Sequence, residues 1–557
     1  MKKVILYVAT VCSALCSDYL DKNPLNSPSD QTFLATETEM QMALASCYTA
    51  LWTDFETMTF FLSFDEASDI GYDRNTSALQ TMAQGAADAN SDLAKNYWKA
   101  FYAGIAKCNY LLQNMSRGED NVAPATYAQI KAEAQFLRAL YYSYLIELYG
   151  DVPLITDVLT LETGQQPRTP KSEVVDFILK EYTEAAENLP STNNPTSGRA
   201  TKGAALALKA RTALYNERWQ DAISASQAVI AMEGTEYIIE DDYSKLFKYE
   251  GQTSKEVIFS VQYLLGTKVH ALYRLFGSRN ALAHTNKKPA YQLADTWECI
   301  DGKQIDKSPM FDPKHPYENR DPRLGYTLAV SGSEFLGFQF ETHGDSTKCW
   351  NYMTNQRVDN LEATHAYATF TGICWRKYAN IEDKDALNDC DMNTILIRYP
   401  EVLLTYAEAK IKAGEIDASV LEAINKVRQR PSVKMPPITT TDPNELFYAV
   451  ARERKYEFSG EGLRLFDIRR WKIAETVMNQ PLLGRMKKSY PDKAPRIDEW
   501  GTAFYEGIPI AESGESADFK MRVVDIRKFD KNRDYLWPIP YIERQTNPNL
   551  TQNPNYE

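Results

Sequence analysis

The chain has 557 residues, 44% of them hydrophobic and 25% charged, and a net charge of −13. Those values describe a folded globular protein, long enough for several domains of the usual ~100–200 residues. The acidity argues against nucleic acid, whose binding proteins carry basic patches. Beyond Cys16 no apolar run approaches the ~20 residues that span a bilayer.

Lys2 and Lys3 precede a short apolar run, Val4 to Leu15, which ends at Cys16. The run is too short for a membrane helix and has the pattern of an export leader. Residues 1–15 are therefore expected to be a signal peptide, with Cys16 the acylated first residue of the mature chain. Leu15 stands where such sites usually carry a small residue. Residues 16–30, polar and holding Pro24 and Pro28, are expected to form a tether leading to a single folded unit over 31–557.

Helical periodicity dominates 31–254. Ile130, Ala134, Leu137, Tyr141, Tyr144, Leu145 and Leu148 recur at three- and four-residue spacing and form one apolar face. Gly150 and Pro153 end that helix. Thr169 and Pro170 are expected to open the next, with Val174, Ile178, Tyr182 and Ala185 as its buried stripe and 188–190 as its end. Ala205, Leu208, Ala210 and Ala213 are slim residues where two helices cross closely, and Trp219, Ala222 and Ala225 follow on the partner helix. Tyr406, Ala407 and Ala409, a turn at Ala413-Gly414, then Ala423 and Ile424 repeat the unit. The expected fold is mostly α, built from tetratricopeptide-like helix pairs.

Residues 255–390 read as a loop-rich insertion between two helical parts, with strand-like stretches at 255–263 and 335–340. The C-terminal part, 391–557, holds a helix opened by a capping box of Asp442 and Glu445 with Pro443 in the first turn. Charges of both signs interleave from Arg452 to Arg470, and Glu453 and Glu457 lie one turn apart, the pattern of ion pairs that lock a helix to its neighbours. Residues 480–535 are irregular, and the proline- and asparagine-rich tail from Leu536 is expected to be extended.

Of eight cysteines, Cys12 falls in the leader and Cys16 at its end. The other six form no C-x-x-C pair, which gives no support to a zinc or redox site. Cys47 and Cys108 are expected to be buried thiols, while Cys349, Cys374 and Cys390 are candidates for pairing in an oxidising compartment. The acidic run Asp383, Asp385, Asp389, Asp391 lacks the glycine and terminal glutamate of a calcium loop. The histidines show no metal-ligand spacing, and no common catalytic motif occurs. No cofactor, metal or catalytic residue is expected.

Aromatics make up 12% of the chain, and rings outside helical stripes are candidates for stacking on sugars. In the loop 64–80, Asp69, Tyr72, Asp73 and Arg74 combine groups that grip vicinal hydroxyls with a ring for the apolar sugar face. The insertion adds Tyr273, Phe276, Arg279, Trp350, Tyr352 and Trp375 in irregular, polar surroundings. Trp98 joins this set, although its register with Phe101, Tyr102 and Ile105 also suits a core position.

Segments spread over nearly the whole chain resemble the SusD/RagB family of outer-membrane nutrient-binding lipoproteins. They include CSDYLDKNP after the leader, YWKAFYAGIAKCN at 97–109, AEAQFLRALYYSYLIELYGDVPLI at 132–155 and GRATKGAALALKAR at 198–211. Further on come NRDPRL at 319–324, RYPEVLLTYAEA at 398–409, RERKYEFSGEGLRLFDIRRW at 452–471, LWPIP at 536–540 and NPNLTQNPNY at 547–556. The resemblance implies a surface-exposed lipoprotein of the outer membrane that binds oligosaccharide, caps a SusC-like TonB-dependent transporter and breaks no bond. A peptide-binding member of the same family, a surface glycoside hydrolase and a purely structural repeat scaffold are the alternatives.

Overall fold

A computed structural model describes residues 33–556, apart from 193, 515 and 517. The leader, the tether and Cys16 lie outside the described residues.

The fold is mostly helical. The principal helices are α1 (Glu37–Tyr48), α2 (Asp92–Asn114), α3 (Pro124–Tyr149), α4 (Lys171–Asn188), α5 (Lys202–Tyr215), α6 (Trp219–Ile230), α7 (Tyr399–Ala413), α8 (Ala418–Arg428) and α9 (Pro443–Phe458). From α3 to α8 each packs on the next, so α6 lies directly against α7 although 168 residues separate their facing ends. Helix α3 opens this stack and also packs against α2 and α1. All seven residues of its expected apolar face are buried, and Phe136, Leu140 and Tyr142 are buried besides. Burying a large apolar side chain contributes about 1.5–3 kcal/mol, so a helix buried along most of its length from Ile130 to Tyr149 organises its neighbours.

Both ends of the intervening segment meet on one ladder. Strand β1 (Val257–Val261) pairs antiparallel with β2 (Thr394–Arg398), and β2 runs straight into α7. The segment between them is therefore looped out of the helical stack without interrupting it. It is built from short strands and single helical turns, among them the hairpin of Lys348–Asn351 with Gln356–Asp359 and the hairpin of Glu334–Phe335 with Phe338–Gln339.

Local chemistry shifts several expected boundaries. Thr169 does not cap α4. It forms a two-way bridge with Val152, and Pro170 takes the cap position. The Asp442 carboxylate accepts the Asn444 and Glu445 amides at 3.0 Å, but Glu445 turns to the Thr440 hydroxyl, so only half the capping box forms. The tail is not wholly extended, because Tyr541–Thr546 is helical. Beyond it Asn553 donates to the carbonyls of Tyr149 and Trp537, closing the exposed end of α3. Cys47, Cys108, Cys299, Cys349, Cys374 and Cys390 are all buried free thiols.

The charge-dense helix α9 lies inside the protein. Arg323, Arg398 and Arg430 surround Glu457, while Arg398 also holds Glu256 and Glu461 and Arg323 also holds Asp321 and Glu453. All are buried. The interleaved signs of the sequence thus mark a structural network joining α9, β1 and β2.

Candidate ligand-binding face

Most of the expected binding loop is structural. Asp65 receives the amides of Gly460, Gly462 and Arg464 at 2.8–3.1 Å. Gly462 is required there, since it adopts φ +82° and a Cβ would lie 2.0 Å from the Phe61 carbonyl oxygen. Asp69 forms a two-pronged pair with Arg464. Asp73 is buried against Lys287 at 2.5 Å, and Tyr72 packs with Ala290 and Leu482. The strand Gly71–Asp73 pairs with Lys287–Pro289 and fixes these side chains inward. A polar, turn-like sequence looks the same whether its carboxylates meet solvent or tie one backbone segment to another.

The insertion aromatics divide in the same way. Tyr273 and Phe276 are buried in the single turn Leu272–Phe276. Trp375 is 1% exposed and donates its indole N–H to Glu66 at 2.7 Å. These three, with Tyr72 and Asp73, belong to the framework. Trp350 is half-buried on its hairpin opposite Arg357. Tyr352 is 45% exposed and lines a groove of about 470 Å3 with Phe247, Tyr326, Phe335 and Met353.

Arg74 and Arg279 are brought together. Arg74 Nη1 and Arg279 Nε donate to the same oxygen, the backbone carbonyl of Tyr367, at 2.8 and 2.9 Å. Their guanidinium carbons lie 5.2 and 6.0 Å from the centre of the Tyr367 ring, which is itself 59% exposed. Arg74 is also 5.9 Å from the Phe370 ring. The shelf rests on Glu362, whose two buried oxygens accept the amides of Arg279 and Thr369. An exposed ring fixed beside two guanidinium forks has the chemistry to stack on a sugar face and to donate hydrogen bonds to its hydroxyls or charged substituents.

Tyr367 and Phe370 escaped the sequence reading, although HAYATF at 365–370 meets the criterion applied to the other aromatics: rings in an irregular stretch with no helical stripe. Trp98 lies on α2. It is 4% exposed, packs edge-on to Tyr149, and contributes with Tyr102 and Asn109 to a groove of about 480 Å3 beside Val158 and Leu159. The polar groups of Tyr102 and Asn109 are spent on the carbonyls of Pro153 and Ile155.

Residues 255–556 match the family described as the SusD family, and residues 18–214 match one described as "Starch-binding associating with outer membrane". The chain belongs to the SusD family. It is 25% identical to the SusD-like protein P2 of Formosa agariphila over 100% of this chain and 99% of that one. Among solved SusD-family structures, a SusD-like carbohydrate-binding protein of Bacteroides fragilis superposes with a TM-score of 0.79 at 29% identity, covering 93% of this chain and all of that one. A second B. fragilis SusD-like protein gives 0.76 at 25% identity over 96% and 100%. Among the described residues of this family member, no helix is long and apolar enough to cross a membrane.

Proposed function

We propose that this SusD-family chain is a surface lipoprotein that captures oligosaccharide on the Tyr367 shelf and passes it to a partner TonB-dependent transporter of the outer membrane. The observation that carries the binding reading is the exposed Tyr367 ring beside the paired Arg74 and Arg279. The starch-binding description of the family matched at 18–214 and the carbohydrate-binding B. fragilis relative support the same class of ligand. Tyr352 offers a second exposed ring on the same insertion.

Capture and release is favoured over bond cleavage. A glycosidase needs two carboxyl groups free to face the scissile bond. The carboxylates next to this shelf are committed: Glu362 to two amides, Asp73 to Lys287 and Ser77. A lipid at Cys16 would hold the protein near its transporter, and the resulting effective concentration makes modest affinity for that partner sufficient.

The test is a glycan and peptide panel on the full-length protein in detergent, with a Tyr367→Ala variant. We expect binding to oligosaccharide, weakened about tenfold or more by loss of the ring, with the unfolding temperature unchanged. Binding of peptides and of no glycan would replace this reading with the peptide-binding alternative.

A further inference from the structure

Around Tyr367 the charge runs against the character of the whole chain. The protein carries −13 overall, yet Arg74, Arg274 and Arg279 form no ion pair among the described residues. Arg74 and Arg279 each spend one N–H on the Tyr367 carbonyl. Arg274 reaches only the Thr57 hydroxyl, at 3.3 Å, and its Nε is buried without a partner. Beside Arg74, against the same Phe370 ring, Lys288 is fully buried in the strand paired with Gly71–Asp73. Its Nζ has no hydrogen-bond partner and sits 4.8 Å from the Phe370 ring centre.

The nearby carboxylates compensate this group only in part. Asp73 and Glu56 both face Lys287, which leaves Glu362, hydrogen-bonded to two backbone amides, as the one carboxylate whose charge acts on both Arg279 and Lys288. The cations, in excess, also act on one another. Burial, then the field of Arg74, brings the Lys288 ammonium down to about 7. Burial and then Arg274, Arg279 and Arg74 lower the exposed His284 imidazole. Like charges in excess, held together by a fold, are destabilising unless something opposite in sign relieves them. A buried ammonium with no partner is costly in the same way.

Building on the oligosaccharide reading, we infer that the Arg74–Arg279 pair beside Lys288, with Arg274 on the backbone segment bonded to 284–286 and through Asn286 to Arg74, is a subsite for an anionic substituent, a carboxylate or a sulfate, on the sugar that stacks against Tyr367. Guanidinium forks match the paired oxygens of both groups. Nη2 of Arg74 and both Nη of Arg279 have no acceptor within the described protein. A neutral sugar leaves the repulsion in place, whereas one anionic group answers several cations at once. The ligand class is therefore acidic oligosaccharide: a uronate-bearing or a sulfated chain.

The full-length protein in detergent is applied to an array of matched backbones: galacturonan oligosaccharides and their methyl esters, sulfated and desulfated galactan oligosaccharides, and neutral glucans. Affinities of the binders are then measured by calorimetry at 50 and 300 mM salt. The expected result is that an acidic ligand binds about tenfold or more tightly than its neutral counterpart. The advantage shrinks at high salt, and the carboxylate and sulfate arms identify which group is taken. Arg274→Gln lowers the acidic-to-neutral affinity ratio. It is preferred to changes at Arg74 or Arg279, which also hold the Tyr367 carbonyl, and its unfolding temperature is compared with that of the parent. Equal binding of acidic and neutral counterparts, or an acidic preference indifferent to both salt and Arg274→Gln, overturns the subsite and leaves the oligosaccharide reading standing. Absence of binding to every glycan overturns both.

Discussion

Asp69 and Arg464 meet through two parallel hydrogen bonds, Nε to Oδ1 and Nη2 to Oδ2, each 2.8 Å long. The pair ties the loop before Gly71 to the short helix Arg464–Arg470 and withdraws Asp69 from any ligand. Replacing Asp69 by Asn keeps the shape but removes the charge and one acceptor. The expected cost is about 1–3 kcal/mol of stability, seen as a lower unfolding midpoint in urea, with glycan affinity unchanged. Loss of affinity at unchanged stability would return Asp69 to the binding site.

Glu457 holds the buried network together. Burial opposes its charge, but Arg398, Arg430 and Arg323 outweigh it and hold the carboxyl well below the usual carboxylate range. Glu457→Gln leaves those guanidiniums short of a counter-charge in the interior, at an expected cost of about 3–5 kcal/mol. The pH dependence follows from the sign of the shift. A group held lower in the folded state contributes stability above its unfolded value of ~4.3, and that contribution is lost as the pH falls below it. Urea midpoints at pH 6 and pH 4 should fall more steeply for the parent than for the variant.

His270 predicts a second acid-sensitive window, at higher pH. Its Nδ1 accepts the Leu272 amide at 3.2 Å, so Nε2 is the nitrogen that donates to the Met392 carbonyl at 2.9 Å. Protonation of Nδ1 breaks the first of these bonds. Burial holds the imidazole down to about 4, against 6.5 for an exposed histidine. Between those values the unfolded chain takes up a proton that the folded one does not, so stability falls as the pH drops from about 6.5 toward 4. The loss is on the order of 3 kcal/mol at most. His270→Gln should flatten the fall in unfolding midpoint between pH 7 and pH 5, and an unaltered slope would show that other groups carry it.

For the anchor, Cys16→Ala is expected to move the protein from the membrane fraction to the soluble fraction without altering its unfolding temperature. Membrane retention of that variant, with no lipid mass on the parent, would remove the attachment from the proposal.

Periodicity made the helical stack legible. The stripes of α3 and α4 are set by local spacing, and a helix with one apolar face has few ways to bury it. The i,i+4 pairing of Glu453 and Glu457 also announced a structural network correctly. The candidate site was only partly legible. Arg74 and Arg279, named separately from the sequence, meet on one carbonyl, but Asp73, Tyr72, Tyr273, Phe276 and Trp375 are buried in the framework, and the exposed Tyr367 ring beside the pair was not singled out. No local signal separates an aromatic that faces solvent from one that closes a core, because the two share the same irregular sequence context.

By itself the sequence determined the helix pairs and the segments that resemble the SusD family, which rest on short-range spacing and local motifs. Only the tertiary structure decided which charges are answered. Arg464 and Arg74 are alike as residues. One is held by Asp69, 395 positions away; the other shares a carbonyl 293 positions away with a second cation and no carboxylate. Burial and charge compensation are properties of three-dimensional neighbours, and they make one arginine a strut and the other a candidate hand for ligand.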